Sequence, residues 1–267
     1  EKWTGDAAGG QGCSIHKPKL DALRNHPANA AEDFIDAGPR PILADQHFLQ
    51  CAHMANAEII PAFTRKKIFG YGFIAASSLA IAIIGFLVWG HHLFTTTQSM
   101  YAAVVFSVLT FAVAIPSAVK VFNWTGTLYR GQVGFESPIL YALGFVGLFT
   151  LGGLTGLFLA SIPIDVHVQD TYFVVAHFHY VLVTGAVYAL MAGTYFWLPK
   201  WTGHMYDEKL GKWHFWLSII LFNVIFFPMH FLGLAGMPRR VPDCAMQFAD
   251  FNMIASIGAL GFGLSQL

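Results

Sequence analysis

The chain has 267 residues, 55% of them hydrophobic and only 11% charged, with a formal net charge of zero. That is too apolar for an ordinary soluble domain and typical of a chain that crosses a membrane several times. The neutral balance gives no electrostatic basis for binding nucleic acid. Three scattered cysteines, Cys13, Cys51 and Cys244, form no CxxC pair and no disulfide framework.

Residues 1–58 differ from the rest. They hold much of the charge, turn-forming stretches such as Gly38-Pro39-Arg40-Pro41, and no apolar run near spanning length. They read as a hydrophilic extension with a short helix around Ala28–Ala37, and they lack the pattern of a targeting peptide. Cys13-x-x-His16 and His47-x-x-x-Cys51-x-His53 offer zinc-ligand types, but not at standard finger spacing, and ordinary surface residues explain them as well.

The membrane domain, 59–267, carries apolar runs at about 68–89, 101–122, 138–160, 171–198, 215–234 and 251–267. The last is short for a full crossing. The fold class is therefore all-α, a polytopic transmembrane helix bundle of five full spans plus the start of a sixth. The second run is broken by Pro116. The third contains Gly152-Gly153-Leu-Thr-Gly156, a small-residue surface suited to close helix packing.

Arg65, Lys66, Lys67, Arg130, Lys200, Lys209 and Lys212 fall in loops on one side if every run crosses once. The positive-inside rule makes that side the inner one, and residues 1–58 join it. The same topology gathers His91, His92, His177, His179, Asp165, Asp170, Arg239 and Arg240 toward the outer side. Lys120 alone lies toward the inner end of the second run.

His177 and His179 open the fourth run. Histidines inside a span are costly unless used. At i and i+2 on a helix they point about 200° apart. One metal ion cannot readily take both, but two cofactors flanking the helix can take one each, and imidazole is a common haem ligand. Hydrogen bonds to neighbouring helices, or a proton relay, are the alternatives. Adjacent His91 and His92 suit copper, zinc or iron. Arg239-Arg240 suit an anion such as a haem propionate, or else snorkel to headgroups. Lys120, one turn from Ser117, suits proton uptake from the inner side, or else snorkels too.

Four stretches together resemble subunit I of the haem–copper terminal oxidases: Trp89-Gly-His-His-Leu, Ala114-Ile-Pro-Ser-Ala-Val-Lys-Val-Phe-Asn-Trp124, Asp170-Thr-Tyr-Phe-Val-Val-Ala-His-Phe-His-Tyr and His230-Phe-Leu-Gly-Leu-Ala-Gly-Met-Pro-Arg-Arg240. They occur in that family's order between about Ile60 and Leu267. The resemblance implies that His177 binds the iron of the oxygen-reactive, high-spin haem a3 and His179 that of the low-spin haem a. It makes His91 and His92 two of three CuB ligands. It places Lys120 and Ser117 in a proton path, with serine where threonine is usual. It sets Arg239 and Arg240 at the propionates, with Asp165 and Asp170 nearby. Asp170 would also neighbour a magnesium ion, although Gln169 stands where the family has a histidine ligand.

The matched stretch corresponds to helices seven through the start of twelve. A separate chain would then supply helices one to six, the other low-spin haem ligand and the third copper ligand. Subunits II and III, cytochrome c donating electrons through subunit II, and membrane lipid are the further partners. The resemblance implies reduction of oxygen to water coupled to proton movement, in the mitochondrial inner membrane or, alternatively, a bacterial plasma membrane. A quinol oxidase core and a non-catalytic assembly or proton-relay subunit are the alternative functions.

Overall fold

The computed structural model describes residues 55–267. The expected helix at Ala28–Ala37 and the Cys13, His16, His47, Cys51 and His53 set lie outside the described residues. The first described element, α1, is a helix over 55–64 that straddles the boundary expected at 58, with Asn56, Ile59 and Ile60 fully buried.

The described residues are mostly helical, with no strand among them beyond an isolated bridge between Thr171 and Pro238. In order come α2 (Tyr71–Leu87), a 3₁₀ turn (Trp89–Leu93), α3 (Met100–Leu128), α4 (Ser137–Ala160), the short α5 (Ile162–Val168) and α6 (Tyr172–Phe178). Then α6 continues as a π-helical stretch (His179–Tyr188) into α7 (Ala189–Thr202), followed by α8 (Glu208–Leu234), a 3₁₀ turn (Met246–Phe248) and α9 (Ala249–Ser265). Six helical stretches are long and apolar enough to cross a membrane, the last being Met246–Ser265 with 20 residues. It starts earlier than the expected 251, because the 3₁₀ turn runs straight into α9, and this gives it spanning length. The chain is an all-α, polytopic membrane protein.

Helices are the answer to a chain that must satisfy its backbone without water. Pro116 illustrates the point and corrects the break expected there. It sits inside the continuous helix α3. The missing N–H costs one hydrogen bond, that to Ala112 O, and the helix continues past it; the neighbouring Ser117 hydroxyl donates to Val113 O at 2.9 Å and so is satisfied inside the span. The helix then runs on to Leu128, so Lys120 does not sit at its end.

The core lies where α4 meets the α6–α7 span and α8. Tyr141, Phe145, Tyr180, Tyr188 and Phe222 are almost wholly buried there. Outward faces carry exposed apolar side chains such as Phe73, Val108, Ile220 and Ile257. Such faces suit lipid or another apolar helix.

Two groups of contacts mark the two ends of the bundle. At one, Lys66 Nζ donates to Tyr129 O at 2.7 Å, and Glu208 Oε1 accepts from Ser137 N at 2.7 Å. At the other, the α5–α6 junction is laced to the loop after α8: Tyr172 N donates to Met237 O at 3.0 Å and Arg239 N to Asp170 O at 2.8 Å. The first end holds the lysine-bearing loops and the second the arginine pair.

Close approach of α6 and α8 depends on Gly233. A Cβ there would overlap the backbone nitrogen of Phe173 and lie 2.5 Å from its Cα. Gly233→Ala should therefore force these helices apart and cost about 2 kcal/mol or more, as overpacking does. Thermal unfolding of the purified protein in detergent checks this. An unchanged midpoint would show that the helices can part at no cost.

Candidate functional site

His177 and His179 leave their helix toward different neighbours. The His177 ring meets α4, where its Nδ1 lies 3.0 Å from Gly152 O and 3.1 Å from Thr155 Oγ1. Gly156 makes room for it, since a Cβ there would lie 2.8 Å from His177 Cε1. His179 meets α8 instead. Its ring stacks on Phe226, centroids 4.1 Å apart, and its Nδ1 lies 2.7 Å from Val175 O.

A carbonyl can only accept, so in each ring Nδ1 carries the proton and donates. That leaves the Nε2 lone pair of both histidines to bind a metal. Holding the second nitrogen this way is how proteins orient histidine ligands. The GGLTG stretch of α4, read from sequence as a packing surface, thus also orients His177. Gly152 and Thr155 hold the His177 ring, a contact that sequence reasoning missed. Their only sequence signal was small residues one turn apart.

His91 and His92 occupy the 3₁₀ turn between α2 and α3. Thr110 Oγ1 donates to Phe106 O at 2.6 Å and lies 3.0 Å from His91 Nδ1, so it accepts that N–H. The two Nε2 atoms face each other at 3.0 Å. Two imidazole nitrogens bound to one metal at about 2.0 Å would be roughly 2.8–3.3 Å apart for bond angles between square and tetrahedral. The pair is therefore spaced for a shared ion, and copper suits imidazole. His91, His92 and His177 are close enough to act on one another electrostatically. Among the described residues no group of three or more His, Cys, Asp or Glu side chains is arranged to hold a metal.

Arg239 and Asp170 form an ion pair, with Nε 2.7 Å and Nη2 2.6 Å from Oδ1. Both Asp170 and Arg240 adopt left-handed backbone conformations, φ 57° and 62°. For residues other than glycine these are sparsely populated and tend to mark sites held by their surroundings. His92 lies near both Arg239 and Asp170. Gln169 Nε2 donates to His92 O at 2.9 Å, so the residue standing where the family has a histidine ligand is a hydrogen-bond donor here. Lys120 is fully buried in α3 and does not reach water, which removes the snorkelling alternative.

Asp165 falls in α5, 3% exposed, and its Oδ2 has no hydrogen-bond partner among the described residues. Burial, with the charge of Asp170 second, pushes its carboxyl up to about 7. The folded protein thus holds this proton more tightly than the unfolded chain, whose carboxyl has an ordinary value of about 4. The stabilisation from that proton is complete below about 4 and is lost as pH rises through about 7. The thermal midpoint should fall between about pH 5 and about pH 8, and Asp165→Asn should flatten that dependence. A parent profile as flat as the variant's would mean that Asp165 is ionised in the fold.

The chain is similar to known proteins in sequence and in fold. Residues 47–261 match the family model of cytochrome C and quinol oxidase polypeptide I. Cytochrome c oxidase subunit 1 of Synechocystis sp. is 48% identical over 203 residues, 76% of this chain and 37% of the relative. Quinol oxidase subunit 1 of Bacillus subtilis is 46% identical over 213 residues, 79% of this chain and 33% of the relative. The chain thus spans little more than a third of the relatives it matches. A heme-copper terminal oxidase dimer solved by cryo-EM shares the fold, with a TM-score of 0.72 at 19% identity over 80% of this chain and 44% of that one. With its four motifs in family order and a family model matched over most of its length, the chain belongs to the cytochrome c and quinol oxidase polypeptide I family.

Proposed function

We propose that this chain is the C-terminal part of the catalytic core of a cytochrome c oxidase, which reduces oxygen to water and couples this to proton movement. The observation that carries the reading is the histidine geometry. His177 and His179 keep Nε2 for separate ligands on two sides of one helix, while His91 and His92 aim both Nε2 atoms at one point.

These residues fit the family's metal groups. His177 would hold the iron of haem a3, His179 that of haem a, and His91 with His92 the copper CuB. When bound, these groups supply the electron transfer and oxygen chemistry. The protein's part is to hold the imidazoles in one tautomer, to keep cations near anionic propionates, and to supply protons. Arg239 and Arg240 are the cations, Asp165 in its neutral form can donate to a propionate, and Asp170 braces Arg239. Lys120 and Ser117 bring protons from the inner side. Of the family's magnesium neighbourhood this chain keeps Asp170, while Gln169 replaces the histidine and gives its Nε2 to His92 O.

Two demands point to further polypeptide. The copper pair needs a third imidazole, and His179 needs a counterpart across its haem. A chain carrying the equivalent of helices one to six would supply both and cover α2, α3 and α6. Subunits II and III and cytochrome c complete the proposed assembly in the mitochondrial inner membrane. The Bacillus subtilis relative favours a quinol oxidase as the second reading, and the bacterial relatives favour a bacterial plasma membrane as the second location.

Purification of the native complex tests all of this. The expected result is a two-haem reduced-minus-oxidised spectrum, a partner chain with the earlier motifs, and a subunit II bearing dinuclear copper. A complex without haem would reduce the chain to a non-catalytic assembly or relay role. Turnover with quinol but not cytochrome c would select the second reading. One polypeptide holding both halves would defeat the divided core.

A further inference from the structure

His92 stands on a short backbone strap whose Trp89 packs on Phe106 of α3, and hydrogen bonds from two side chains also hold it from outside. One is the bond from the His91 ring to Thr110 on α3. The other reaches much further along the chain, where Gln169 Nε2 donates to the backbone carbonyl of His92 itself at 2.9 Å. Gln169 is 6% exposed. Its own backbone N–H is bonded to Asp165 O at 2.6 Å, and the next residue, Asp170, is locked to Arg239 by side chain and main chain. The amide is therefore mounted on a braced junction. That junction leads directly into α6, which carries His177.

We propose that Gln169 is a positioning residue for His92, setting the copper-side strap at a defined distance from the helix that carries His177. A carbonyl or amide left unpaired in such a buried place loses about 1–3 kcal/mol, so the bond resists being broken. A backbone tie acts on both rings of the pair, because the imidazoles move with the strap. The consequence is control of the separation between the His91–His92 point and His177 Nε2. The inference rests on reading these histidines as copper and iron ligands.

The test is the infrared spectrum of carbon monoxide bound to the reduced, purified oxidase complex, which senses the surroundings of the bound gas without requiring turnover. Gln169→Met keeps the side chain's length and removes its donor. Gln169→His keeps an N–H donor. The expected result is a shifted or split band in the methionine variant at unchanged haem content, with the parent band in the histidine variant. The parent band in both variants overturns the proposal, and so does an equal shift in both. If the methionine variant fails to assemble while the histidine variant assembles with the parent band, the need for the donor is upheld. Failure of both assigns Gln169 to folding instead and overturns the positioning role. A parent complex that gives no carbon monoxide band at all defeats the reading of the histidines, and the proposal falls with it, an outcome distinct from a parent band that the variants leave unmoved.

Discussion

His177→Ala should abolish carbon monoxide binding by the reduced complex, and His179→Ala should remove the low-spin haem spectrum while carbon monoxide still binds. The separation of the two effects follows from direction. The His177 ring is held against α4 by Gly152 O and Thr155, whereas the His179 ring is held against α8 by Phe226. Neither ring can replace the other, because each is tied through Nδ1 to a carbonyl on its own side. Removing only an outer hydrogen-bonding partner of a metal ligand commonly costs about 10–100-fold, so removal of the ligand itself should exceed that in oxygen reduction. Optical spectra of assembled complexes decide the matter. Either variant retaining both haem signals would show that the assignment is wrong.

Lys120→Met should slow reduction of the high-spin haem by roughly a hundredfold or more, the range of a lost proton-transfer group. The placement argues for this. Lys120 is fully buried, so its ammonium is not serving as a headgroup anchor. On α3 it follows Ser117 by one turn, and Ser117 follows Thr110, which holds His91, by two. At 1.5 Å per residue Thr110 and Lys120 are about 15 Å apart along the axis, too far for one lysine stem. Ser117 is the polar group between them, and its hydroxyl donates to Val113 O. Methionine matches the stem in length and apolarity, so folding should survive. Stopped-flow reduction of the assembled variant measures the step. Normal reduction and turnover would leave Lys120 as a buried structural side chain.

Some of this molecule was legible from residue order alone. The apolar runs located the spans because lipid leaves a chain few choices beyond helices. Lysine-bearing loops and the Arg239-Arg240 pair separated the two ends, and contacts at each end keep them grouped in the same way. The i, i+2 spacing sets His177 and His179 about 200° apart, and they do meet different helices.

What the sequence could not reveal is which neighbour each face meets. Periodicity gives a bearing around one helix, while the partner at that bearing is chosen by packing between distant segments. So the GGLTG stretch reads as a smooth surface until α6 lies on it, and only then is Gly152 O the anchor of the His177 ring. Gln169 reads as a lost metal ligand until the strap of His92 is brought beside it. Pro116 reads as a break, because its missing N–H is visible in sequence and the packing that carries the helix through it is not. The π-helical stretch from His179 to Tyr188 carries no sequence mark either. Within it the Thr184 hydroxyl donates to Tyr180 O, while Tyr180 fits against Gly152 and bonds Asn223 on α8. The sequence by itself determined the helices and their order. Only the tertiary structure decided the orientation of the His91 and His177 rings, because each depends on hydrogen bonding to another segment of the chain.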